Sequence, residues 1–219
     1  MRVVIAGGHG KVARLLQTDL AGRGDTPVGL IRNPDHAPAL RATGAQARVC
    51  DLEHADVAQV AAHLADADAV VFAAGAGPGS GAARKDTVDR AAAVLLADAA
   101  EQAGVRRYLL VSSMGVDDAP PAGTDEVFAA YLRAKKAAED DLTARDLDWT
   151  VLRPGRLTDD PPTGRVTLAP RVDAGAVTRT DVARVLAALL HRPGSVGAVL
   201  ELVGGNTPIA DAVAAVGRP

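Results

Sequence analysis

The segment that most constrains the fold is Val3-Val4-Ile5-Ala6-Gly7-Gly8-His9-Gly10-Lys11-Val12-Ala13. An apolar strand runs straight into glycines and out into a helical pattern. Alone, G-x-x-G-x-x-A is weak, because glycine is common. Placed between a strand and a helix at the head of a βαβ series, it is a strong sign of a dinucleotide-binding turn. Glycine permits the tight turn and close approach of the backbone to a pyrophosphate. The following helix presents unpaired N–H groups and its positive dipole end to the anion. Ala13 stands where a small side chain lets helix and strand pack closely. A Walker A loop is excluded: it needs glycine at position 5, where Ile5 stands, and Ser or Thr at 12, where Val12 stands. A β-to-α turn that binds nothing is the plainer alternative. His9 and Lys11 flank the turn, able to touch phosphate or simply to face solvent.

The rest of the chain repeats the alternation. Val3–Ala6, Val28–Ile31, Ala47–Cys50, Ala69–Ala74, Tyr108–Ser112 and Thr150–Leu152 are short apolar runs, as strands covered on both faces should be. Val12, Leu15, Leu16 and Leu20 form one helical stripe, and Val88, Ala92, Leu95 and Ala99 another, closed by Gly104. Phe128, Leu132, Ala138 and Leu142 lie near one face of a third. The expectation is an α/β, doubly wound, mostly parallel sheet of Rossmann type with strand order beginning 3-2-1-4-5-6. Later elements are less regular: strands at Arg165–Leu168 and Val199–Val203, a helix capped by Thr180 and ending near His191, and a last helix opened by Asn206-Thr207-Pro208. One domain over 1–219 is expected, with a short substrate-side extension from about 154 to 219.

Composition narrows the function. The net charge of −3 gives no electrostatic footprint for nucleic acid or anionic membrane. Cys50 is the single cysteine, so neither an intrachain disulfide nor a multi-thiolate metal site can form. The other histidines, His36, His54, His63 and His191, show no metal-ligand spacing. No apolar run reaches about 18 residues, and no secretory leader is read, so a cytoplasmic protein is expected. Aromatic residues make up only 2%, so each tyrosine and the one tryptophan need a reason.

A site selective for NAD usually carries an acid after the second strand, for the ribose hydroxyls. Here Arg32-Asn33 follows that strand instead. An arginine there suits a 2′-phosphate, which favours NADP(H) over NAD(H); the alternative is an exposed loop arginine. Asp51-Leu52 follows the third strand, where adenine would lie. Ala73-Ala74-Gly75 follows the fourth, where small residues let the backbone pass near a cofactor.

The ordered series Gly7-x-x-Gly10-x-x-Ala13, Arg32-Asn33, Cys50-Asp51-Leu52, Val111-Ser112-Ser113-Met114-Gly115, Tyr131-x-x-x-Lys135 and Arg153-Pro154-Gly155-Arg156-Leu157-Thr158 resembles the atypical short-chain dehydrogenases/reductases. It is closest to their small NAD(P)H-binding, NmrA-like branch, which is similar to biliverdin reductase B/flavin reductase. The resemblance covers essentially the whole chain. It implies a catalytic set of Ser113, Tyr131 and Lys135. Serine would hold a substrate carbonyl, tyrosine would act as acid, and the lysine one turn away would stabilise the phenolate. A packed aromatic beside a solvated lysine pair, Lys135-Lys136, is the competing reading of the same residues.

The resemblance also implies a cofactor-binding set. Gly7, Gly8, His9, Gly10, Lys11 and Val12 supply the turn; Arg32, Asn33, Asp51 and Leu52 the adenosine end. Ala73, Ala74 and Gly75 pass beneath the middle; Ser112, Lys135, Pro154, Gly155 and Leu157 face the nicotinamide. No metal is implied. The expected function is NADPH-dependent hydride transfer to a small carbonyl, quinone or flavin-like acceptor; the alternative is a non-catalytic NADP(H)-binding redox sensor. Only 66 residues follow Arg153, little material for a substrate lobe, which disfavours sugar-nucleotide chemistry. The partner expected is a small-molecule acceptor, without nucleic acid or membrane; a homodimer stays open.

Overall fold

The computed structural model describes residues 1–77, 79–118 and 123–217. Strands β1 (Arg2–Ala6), β2 (Thr26–Ile31), β3 (Gln46–Val49), β4 (Ala69–Phe72), β5 (Arg107–Val111) and β6 (Asp148–Pro154) pair in parallel in the order 3-2-1-4-5-6. This is the expected doubly wound, Rossmann-type sheet. The later strands are β7 (Arg156–Thr158), β8 (Arg165–Ala169), β9 (Ala176–Thr178), β10 (Ala198–Gly204) and β11 (Thr207–Pro208). Strand β10 lies parallel to β6, β8 pairs antiparallel with β10 and β11 antiparallel with β8, making nine strands in the main sheet among the described residues. Strands β7 and β9 form a separate parallel pair. Residues after Pro154 are thus built largely into the main sheet and core.

Alternating side chains of each strand feed two cores, because the strand repeat is two residues. Val3 and Ile5 pack on one face with α1 (Lys11–Gly22), α7 (Arg179–Leu190) and α8 (Ile209–Ala215). Val4 and Ala6 pack on the other with α3 (Val57–Leu64), α5 (Ala92–Ala103) and α6 (Glu126–Thr143). The short α2 (Ala37–Arg41) closes a third, small cluster through Leu40. Ahead of α5, the short α4 (Ala82–Arg84) passes through a π-helical segment, Lys85–Ala91. Gly104 ends α5 in the left-handed region, φ +73°. No helix among the described residues is long and apolar enough to cross a membrane.

Three local expectations are corrected. The fourth strand stops at Phe72 rather than Ala74: the Ala73 N–H still donates to the Ala6 carbonyl at 3.1 Å, but β1 then turns away at Gly7, φ +76°, and the ladder goes no further. The cap of α7 is Thr178, not Thr180: the Thr178 side chain accepts from the Asp181 N–H. The last helix starts at Ile209 with no side-chain cap, because Thr207–Pro208 is held as β11 against Arg165–Val166. Tyr108 is a core residue whose hydroxyl donates to the Ala93 carbonyl at 3.1 Å, and burial pushes its phenol pKa up. Arg153 is structural too: buried in β6, it bonds Glu139 of α6 and Asp117 after β5.

Candidate functional site

The turn after β1 uses its glycines in two ways. A Cβ on Gly7 would sit 2.5 Å from the Ala74 Cα, and one on Gly8 2.7 Å from the Gly29 Cα. Both glycines therefore let neighbouring backbones approach. Gly10 is different: a Cβ there would meet only the Gly7 carbonyl oxygen at 3.2 Å and the Ala73 carbonyl oxygen at 3.8 Å. The N–H groups of Gly8 and Gly10 are consumed inside the fold, donating to Leu30 and Gly7 carbonyls. The donors left for an anion are those of the first turn of α1.

Two cavities meet at Ala73-Ala74-Gly75, below this turn. One, of about 390 Å³, is lined by Gly7, His9, Gly10, Arg32, Asn33, Asp51, Leu52 and neighbours. The other, of about 660 Å³, is lined by Val12, Ser112, Ser113, Tyr131, Lys135, Pro154, Gly155 and Leu157, among others. The structure thus brings together nearly all the residues picked out from the sequence. Gly8 and Lys11 line neither cavity. Gly8 is packed on Gly29, and the exposed Lys11 ammonium pairs with Asp159 at 2.6 Å.

The first cavity carries a cluster not read from sequence. Arg32 is not free: its Nη1 donates to Glu53 at 2.8 Å. Glu53 also accepts from Arg84 at 2.6 Å and Thr87 at 2.9 Å. These partners, Arg84 foremost, hold its carboxyl below the ordinary glutamate range against the opposing effect of burial. Arg32, Arg84 and Glu53 together leave one net positive charge. His9 and His36 stack with centroids 3.6 Å apart. Burial, then His36 and Arg14, push the His9 pKa down. Cys50 lines the same cavity, its thiol pKa raised by burial and then by Asp51. Glu53 lies two residues beyond Asp51, so the strand-end position was the available signal; Arg84 had none.

In the second cavity, Tyr131 and Lys135 share a face of α6, as their four-residue spacing requires. The Lys135 Nζ lies 5.9 Å from the Tyr131 ring centroid, and Lys85 Nζ lies 5.6 Å from it. Phe128, half exposed, stacks on the same ring at 5.9 Å. Lys135 is 4% exposed, donates to the Val111 carbonyl at 3.0 Å and pairs with Asp89 at 3.4 Å. It is therefore not a solvated lysine; Lys136 instead pairs with Asp140. Ser113 Oγ donates to the Met114 carbonyl at 3.2 Å, while the buried Ser112 Oγ has no hydrogen-bond partner among the described residues. Asp89 and Lys85 were missed. Asp89 had a signal: it leads the buried series Asp89, Ala93, Leu96, Ala100, a carboxylate where a helix needs apolar residues.

The groove fits a dinucleotide. It is long, passes a helix N-terminus at its middle and keeps small residues at its waist; two buried polar atoms at one end, Ser112 Oγ and Asp89 Oδ1, lack hydrogen-bond partners among the described residues.

Comparison with known proteins agrees. A Bacillus halodurans structure bearing a provisional NAD-dependent epimerase/dehydratase name is 39% identical, with TM-score 0.91, covering 98% of this chain and 99% of that one. ChuY, an anaerobilin reductase from Escherichia coli O157:H7, is 28% identical with TM-score 0.77, covering 93% and 97%. The uncharacterized sugar epimerase YhfK of Bacillus subtilis is 30% identical over 214 residues, 97% of this chain and 99% of its own. The model of the NAD(P)H-binding family matches residues 7–193, and with the groove just described this chain belongs to that family.

Proposed function

We propose that the protein is an NADPH-dependent oxidoreductase that reduces a small carbonyl, quinone or flavin-like acceptor. The observation that carries this reading is the continuity of the groove: an anion-ready helix end at its middle, arginines at one end, and Tyr131 with Lys135 at the other. The reductase name of a 28% identical neighbour supports the direction of the chemistry.

Arg32 and Arg84 would hold the 2′-phosphate. Their shared Glu53 is already engaged by three donors, so it competes less for ribose than a free acid would. The first turn of α1 would hold the pyrophosphate. Lys135 and Ser112 would hold the nicotinamide side, and NADPH, when bound, supplies the hydride. Tyr131 would deliver a proton to the acceptor oxygen, with Ser113 rotating from the Met114 carbonyl to orient it.

Equilibrium titration tests the cofactor. NADPH should bind more tightly than NADH by about 1.5–3 kcal/mol, the scale of a charge-assisted contact. Equal dissociation constants would remove the NADP assignment. A panel of aldehydes, quinones and flavins, followed by loss of reduced-nicotinamide absorbance, tests the reaction. Tight NADPH binding with no turnover would favour the redox sensor. Interconversion of nucleotide sugars without net consumption of cofactor would favour an epimerase.

A further inference from the structure

Three cationic side chains line the larger cavity: Lys85, Lys135 and Arg179. Two of them are matched. Lys135 pairs with Asp89 at 3.4 Å, and Arg179 with Asp159 at 2.8 Å. Lys85 is only 8% exposed, yet no carboxylate of the described residues pairs with its ammonium. Asp89, four residues on, stands where a helix would pair it with Lys85, but it turns to Lys135 instead. Lys85 Nζ donates to the Gly77 carbonyl at 3.0 Å, its one hydrogen bond among the described residues. An ammonium carries three protons, so two are left without an acceptor there. The Tyr131 ring, its centroid 5.6 Å away, offers only the modest attraction of a π face. Burying a charge without an opposite one is costly. The segment that Lys85 opens, Lys85–Ala91, is π-helical, and such segments are uncommon and recur at functional sites.

An anion from outside the chain removes that cost. The unmatched charge is a single one, and Asp89 and Asp125 line the same cavity, so a monoanion suits it better than a phosphate dianion. The place is that of the acceptor. Lys85 lies against the Tyr131 ring, and the half-exposed Phe128 stacked on that ring extends a flat apolar face beside it. We infer that Lys85 is an acceptor-binding residue and that the acceptor bears a carboxylate, which the Lys85 ammonium holds beside Tyr131. This rests on the reductase reading proposed above and narrows its acceptor to acidic carbonyl or quinone compounds. An aromatic or conjugated skeleton joining carboxylate and carbonyl would lie against Phe128.

The test compares 4-carboxybenzaldehyde with its neutral isostere 4-formylbenzamide, each reduced by the full chain at saturating NADPH, in wild type and in Lys85→Gln. Wild type should favour the carboxylate in kcat/KM by about 10- to 100-fold, the range of a charge-assisted hydrogen bond, with most of the difference in KM. In Lys85→Gln that preference should shrink to about twofold or less. A wild type without the preference overturns the inference. So does a preference that survives in the variant, which would move the carboxylate to another cation such as Arg179. NADPH titration separates acceptor from cofactor: a loss of NADPH affinity as large as the loss in kcat/KM overturns the inference by placing Lys85 on the cofactor. If neither aldehyde is reduced, the reductase reading fails for them, and equilibrium binding to the NADP⁺ complex decides. There 4-(hydroxymethyl)benzoate should bind about tenfold or more tightly than 4-(hydroxymethyl)benzamide, and equal binding, or none, overturns the inference. Wild-type protein that binds no NADPH would sink the dinucleotide reading, and the inference with it. If Lys85→Gln fails to fold, Lys85→Met, which keeps the apolar stem and removes the charge, is read by the same ratio.

Discussion

Tyr131 has the Lys85 and Lys135 ammoniums 5.6 and 5.9 Å from its ring centroid, with Phe128 stacked on its ring and its side chain only partly buried. Replacing Tyr131 with Phe keeps this packing and removes the hydroxyl. If Tyr131 is the acid, turnover of a carbonyl acceptor should fall by about 10²–10⁴-fold. NADPH affinity and melting temperature should hold. Unchanged steady-state rates would show that the acceptor takes its proton from water. A second residue-scale test concerns Glu53, which restrains both arginines of the adenosine end. Glu53→Gln should free them and tighten NADPH binding by on the order of 1 kcal/mol, leaving NADH unchanged. Calorimetry with both nucleotides checks this. The same carboxyl links stability to pH. Its folded pKa is lowered, so its contribution is fully present above the unfolded value and is lost as pH falls through the folded one. The stability difference between wild type and Glu53→Gln should be constant above about pH 5 and shrink below about pH 4.

At the scale of elements, the turn between β1 and α1 separates folding from binding residue by residue. Gly8 meets backbone on its Cβ side, and backbone cannot step aside as a side chain can. Gly8→Ala should therefore destabilise the fold by about 1–3 kcal/mol, as overpacking does. Gly10 has an extended backbone, φ −60° and ψ 151°, and faces the groove. Gly10→Val should leave unfolding in urea within about 1 kcal/mol of wild type. Dinucleotide binding should be abolished, because the branched side chain fills the anion's place. Parallel denaturation and binding titrations on both variants read this contrast. A Gly10→Val protein with wild-type affinity would place the phosphates elsewhere.

Across the whole molecule, the groove is assembled from the ends of β1, β2, β4, β5 and β6 and from helices on both faces of the sheet. A ligand seated there touches both cores and binds only the folded chain. NADPH at 100 times its dissociation constant should stabilise by about 2.7 kcal/mol and raise the melting temperature by roughly 5–10 °C for a chain of this size. Thermal melts at increasing NADPH check this. A flat response would mean that the groove does not take the dinucleotide.

The sheet order, the glycine turn and most of the groove's lining were legible in the sequence. The signals for the sheet and the turn are local: short continuous apolar runs, a helical stripe, and glycines at a strand end. Parallel connection rules then leave few ways to join them. Where a local rule failed, a distant partner decided. Ala73 and Ala74 look like strand, but β1 turns away at Gly7 once the Ala73 N–H has met the Ala6 carbonyl. Thr207–Pro208 looks like a helix cap, but β8 holds it as a strand. Arg32 read as free for phosphate, yet Glu53, 21 residues away, meets it. Lys135 read as half of a local pair with Tyr131, yet its charge partner is Asp89 on another helix. Composition and periodicity set which residues are buried and in what order the strands lie. Which charges meet inside was decided only by folding, because the energy of a buried ion pair depends on a few ångströms between segments far apart in the chain.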